Sequence, residues 1–204
     1  MKDEKRKKIA IFIDYTIRVP FFNTIFSSFK QYMFENLQDE IDQEGDFLLR
    51  DFWKEEIKKK EVENFYMPLN PNEDDYENKN FRKYFYNEEH FLKFIEDYSF
   101  ALFAEGTVPN SKDIDMINIA QKHLFDVVLI DEYLSTRKKL NTFFYLSKIR
   151  VTPQSIVFLK EDEPLDETEF LAVWNPKKNK EQVNGSNLGE FENWLKELEG
   201  VIKN

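Results

Sequence analysis

The chain has no cysteine, which excludes disulfides, thiolate metal sites and cysteine nucleophiles together. Histidine is nearly as scarce. His90 and His123 are the only two, so an imidazole metal site or a Ser/His/Asp triad has few ways to form. With five glycines in 204 residues, neither G-x-x-x-x-G-K-S/T nor G-x-G-x-x-G occurs, and both nucleotide-binding fingerprints are missing. No apolar run approaches the roughly 20 residues of a membrane span. The basic start MKDEKRKK leads into five apolar residues with no small-residue cleavage site behind them, so it reads as a solubilising flank. Positive charge is also short: 29 Lys and Arg stand against 39 Asp and Glu, a net −10, whereas nucleic-acid phosphates are bound by clustered cations. These shortages predict a soluble, cytoplasmic protein (host cytoplasm, if a phage encodes it) with no membrane or nucleic-acid partner. Carboxylates are its remaining candidates for chemistry.

What is present is ample apolar material, 41% of residues, including 21 Phe. That suffices for one sizeable core plus a modest inserted element. The abundance of Phe, Lys, Asn, Ile and Glu reads as an AT-rich coding bias, pointing to a phage or a low-GC bacterium.

The stretch KIAIFIDYTIRVP, Lys8 to Pro20, organises the rest. Its apolar run Ile9–Ile13 ends abruptly on Asp14, as a strand buried on both faces of a parallel sheet does. In such sheets the carboxyl ends of the strands carry the chemistry, which puts Asp14 at the place of a nucleophile or metal ligand.

Helical spacing follows over Phe21–Leu37, with Phe22, Ile25, Phe26, Phe29, Met33 and Leu37 on one stripe, and a charged helix over Phe47–Val62. Residues 63–87 show no sustained period and read as loop with short helical pieces. Their aromatic cluster, Tyr76, Phe81, Tyr84, Phe85 and Tyr86, is expected to anchor the segment. A surface for a protein partner or a second copy is the alternative. Asn87 caps a helix to Tyr98, with His90 exposed in its first turn.

Strands and helices then alternate: strand Ser99–Ala104, helix Ser111–His123, strand Phe125–Ile130 ending on Asp131 and Glu132, and helix Ser135–Ile149. Strand Ser155–Leu159 runs into Lys160, Glu161 and Asp162; strand Phe170–Trp174 and an amphipathic helix Leu188–Ile202 close the chain. This predicts an α/β fold, a Rossmann-like three-layer sandwich with a central parallel sheet of about five strands. Residues 1–19 and 88–204 form its core, and 20–87 a helical cap-like insertion after the first strand.

Three strands end in acid, at Asp14, Asp131/Glu132 and Glu161/Asp162. Carboxylates converging on one sheet edge can hold Mg²⁺ while one of them attacks a phosphoryl group. Ordinary strand-end polarity is the competing explanation for each. With Asp14 after an apolar strand, a helical insertion, and the run RKKLNTFFYLSKIRVTPQSIVFLKED, the chain resembles the haloacid dehalogenase-like hydrolase superfamily. The resemblance spans nearly the whole chain in element order. It implies Asp14 as nucleophile, Asp14 with Glu161 or Asp162 as Mg²⁺ ligands, and Lys139 (or Lys138) as the residue steadying phosphoryl oxygens.

Three positions depart from the family pattern. Thr16 stands where the family's second Asp relays protons, and a hydroxyl does not do that near neutral pH. Arg18 stands where a small hydroxyl residue is usual. Ala104 and Glu105 end the second strand where Ser or Thr is expected, although Thr107 follows closely. The resulting expectation is a family relative with impaired catalysis that serves as a binding or assembly module. The alternative is an Mg²⁺-dependent phosphohydrolase acting on a phosphate ester through Asp14.

Overall fold

The computed structural model describes residues 6–20, 22–36, 85, 87–108, 111–133, 135–160, 163–176 and 190–203. Its strands are β1 (Lys7–Phe12), β2 (Val19–Pro20), β3 (Thr107–Val108), β4 (Phe125–Tyr133), β5 (Ser155–Lys160) and β6 (Ala172–Trp174). Its α-helices are α1 (Phe22–Asn36), α2 (Glu88–Asp97), α3 (Ser111–His123), α4 (Thr136–Lys148) and α5 (Glu190–Lys203). The chain divides into two compact units: Met1–Val19, Pro109–Tyr133 and Leu146–Asn204 form the first, Pro20–Val108 and Leu134–Tyr145 the second. Among the described residues, no helix is long and apolar enough to cross a membrane.

The first unit is α/β, built on a four-stranded, all-parallel sheet in the order β5-β4-β1-β6. β1 is central because its run is apolar on both faces, and it pairs residue for residue with β4, Ile9 to Val127 through Phe12 to Ile130. Alternation along the strands sorts the side chains. Ile9, Ile11, Ile13, Val127 and Leu129 join Ile114 and Ile117 of α3 and Phe191 and Leu195 of α5 in one buried cluster. Ala10, Phe12, Val128, Ile130 and Leu159 form a second, against which Leu165 and Phe170 pack. The chain steps outward from β1 to β4 to β5 and then returns to the other side of β1 with β6. The strand order therefore reverses at β1, and in open parallel sheets a crevice opens at the carboxyl ends where that happens.

The described residues of the second unit are mostly helical and packed by aromatic rings. Phe29, Tyr32, Phe85, Phe91 and Phe94 are all buried, with Phe85 5.0 Å from both Phe29 and Phe94 between ring centroids. Asn87 caps α2 as its sequence predicts, its side chain accepting the His90 N–H at 2.9 Å. His90 is not the exposed residue expected. Half-buried, it places Nδ1 2.7 Å from the Tyr32 hydroxyl, because α1 brings that phenol against the first turn of α2.

The expected strand Ser99–Ala104 is helical instead: residues 99 and 100 are in α-helix and Ala101–Glu105 form a π-turn. Leu102, Phe103 and Ala104 are buried, and a short apolar run carries no period that separates a strand from a buried helix. This accounts for a sheet of four strands where five were counted. Gly106 follows the turn, and a β-carbon there would run into the Thr24 side chain and the Ala101 carbonyl, so the close approach to α1 requires glycine. β4 runs three residues beyond Ile130, so Asp131 and Glu132 lie within the strand, and β6 begins only at Ala172. The expected helix Phe47–Val62 and the aromatic residues Tyr76, Phe81, Tyr84 and Tyr86 lie outside the described residues.

Candidate functional site at the end of β1

The ladder between β1 and β4 continues one residue past β1, where Ile13 N–H donates to the Ile130 carbonyl at 2.9 Å. The chain then winds around a single acceptor. The Ile13 carbonyl receives the N–H groups of Thr16, Ile17 and Arg18 at 3.2, 3.1 and 3.1 Å, while Tyr15 N–H donates to the Arg18 carbonyl at 2.9 Å. Closing so tight a turn forces Tyr15 to φ 62°, in the left-handed region that costs a non-glycine residue about 1–2 kcal/mol. The turn needs external ties to hold that geometry, and side chains supply them on both sides.

Toward β4 the tie is ionic. Arg18 donates through Nε to Asp14 Oδ1 at 2.5 Å and through Nη2 to Asp131 Oδ1 at 2.6 Å. The Arg18 and Asp131 side chains are 0% exposed and that of Asp14 is 9% exposed. A guanidinium stays charged at any pH a protein survives, and its flat fork suits two carboxylates lying to one side of it. Toward β6 the tie is neutral: Trp174 donates its indole N–H to Thr16 Oγ1 at 3.0 Å, and both residues are buried. The reversal point of the sheet is thus closed by a loop pinned to both of its neighbouring strands.

The chemistry open to this arrangement follows from its donors. The Asp14 and Asp131 oxygens named above both bond the Arg18 guanidinium, so a divalent cation bridging those two oxygens would have to displace it. Among the described residues, no group of three or more His, Asp or Glu side chains gathers so as to hold a metal ion. Glu161 and Asp162, the expected metal ligands, lie outside the described residues.

Of the remaining predicted residues, Lys138 and Lys139 belong to the second unit. Lys138 is 0% exposed, with its ammonium 4.6 Å from the centre of the Phe103 ring, while Ser135 Oγ accepts its backbone N–H as the cap of α4. Lys139 is half-buried. Glu105 is exposed; Thr107 is buried with a hydroxyl that has no hydrogen-bond partner. Sequence reasoning placed Asp14 and Thr16 at the end of β1 but missed that Arg18 binds Asp131. The signal available, an opposite-charge pair four residues apart just past a buried strand, points to the Asp14–Arg18 bond and not to Asp131.

Carboxylates elsewhere in the first unit are perturbed. Asp113, buried at the start of α3, is pushed up to about 6 by burial; Lys112 opposes the rise and Glu192 adds to it. Glu192, hydrogen-bonded to Lys112 and Lys196, is held down at about 2. No family model matches the chain, and no curated protein matches it.

Proposed function

We propose that this protein is a binding or assembly module built on a three-layer α/β core of the haloacid dehalogenase-like kind, in which Asp14 anchors the fold and is not a nucleophile. The observation that carries this reading is the buried guanidinium of Arg18, bonded at once to Asp14 and Asp131. A carboxylate that attacks phosphorus needs an open line of approach and a cation that also draws in the phosphoryl oxygens. Here its partner is an arginine whose charge is already shared with a second carboxylate. Thr16 points the same way: its hydroxyl accepts from Trp174, and a hydroxyl neither gives nor takes a proton readily near neutral pH. The reversal of strand order at β1 supports the fold assignment, since it gives the sheet the doubly wound arrangement such a core requires.

One observation favours the alternative, an Mg²⁺-dependent phosphohydrolase with Asp14 as nucleophile and Lys139, Glu161 or Asp162 as helpers. The left-handed Tyr15 beside Asp14 is backbone strain of the sort that gathers at active sites. A panel of phosphate esters assayed with Mg²⁺ separates the two. The module reading predicts no phosphate release above that of Asp14→Asn, together with a lower unfolding midpoint for that variant. Turnover that Asp14→Asn abolishes while leaving stability unchanged contradicts it.

A further inference from the structure

We draw no further inference here: the strongest candidate, the exposed apolar face that Leu140, Phe143 and Phe144 make on α4 beside Phe100, carries none, because nothing in the structure shows what covers it.

Discussion

The loop after β1 and the α1–α2 helix pair both bury polar groups, and they do so with different chemistry. The loop uses full charges, Arg18 between Asp14 and Asp131, with the Arg18–Asp131 pair wholly out of reach of water. The helix pair uses aromatic hydroxyls. Tyr32 contacts His90, and Tyr98 donates to Glu35 at 2.8 Å at the exposed margin of a ring-packed core. Burial, with Asp97 and Glu89 nearby, raises Tyr32 to about 12, so its hydroxyl stays protonated across the working pH range. The difference teaches what each region tolerates. A neutral hydroxyl that loses its partner forfeits one modest hydrogen bond, whereas a buried carboxylate that loses its guanidinium keeps a charge with nowhere to go.

The sharpest way to break the comparison is Arg18→Ala. It strips two buried carboxylates of a shared partner and is expected to lower the urea-derived stability by about 3–5 kcal/mol. A loss below about 1 kcal/mol would place the triad in the same class as the tyrosines.

A smaller effect tests burial of charge without a guanidinium. The folded-state value of Asp113, about 6, lies above its ordinary 3.8. The folded protein therefore holds that proton more tightly, and the associated stability is present at low pH and lost as pH rises from about 4 through 6. Glu192 runs the other way, contributing stability above its ordinary 4.5 that is lost as pH falls toward 2. Asp113→Asn is expected to flatten the slope between pH 4 and 7 and to raise stability at pH 8 by about 1–2 kcal/mol, solvent screening included. Denaturation across pH reads both.

Tyr32→Phe keeps the ring packing and removes only the hydroxyl facing His90, so about 1 kcal/mol is the expected loss in thermal or chemical unfolding. Smallest of all is Thr107→Val, which deletes a buried hydroxyl with no partner. Its unfolding midpoint should stay level or rise, within about 0.5 kcal/mol of the parent.

Much of the fold is written in local pattern. The helix over Ser111–His123 and the Asn87 cap agree with the sequence to the residue, because periodicity and capping involve only near neighbours. SFALFA failed for a reason also visible in the sequence. Ser99 to Ala104 holds no β-branched side chain, whereas the β1 run has Ile9, Ile11 and Ile13 and β4 has Val127, Val128 and Ile130. The site was legible in part. An acid at the end of a buried strand identifies Asp14, but its meaning depends on Asp131, 113 residues from Arg18 and brought beside it only by the pairing of β4 with β1. Nothing local to Arg18 encodes that register.

The central claim is that a protein-borne cation fills the place between Asp14 and Asp131. Urea unfolding of the parent and Asp14→Asn, each with and without millimolar Mg²⁺, tests it most directly, since any ion bound only by the folded state raises the midpoint. The account predicts a parent midpoint that Mg²⁺ leaves unchanged and a loss of about 2 kcal/mol in Asp14→Asn from the missing charge-assisted hydrogen bond. A midpoint that rises with Mg²⁺ in the parent and not in Asp14→Asn would contradict it.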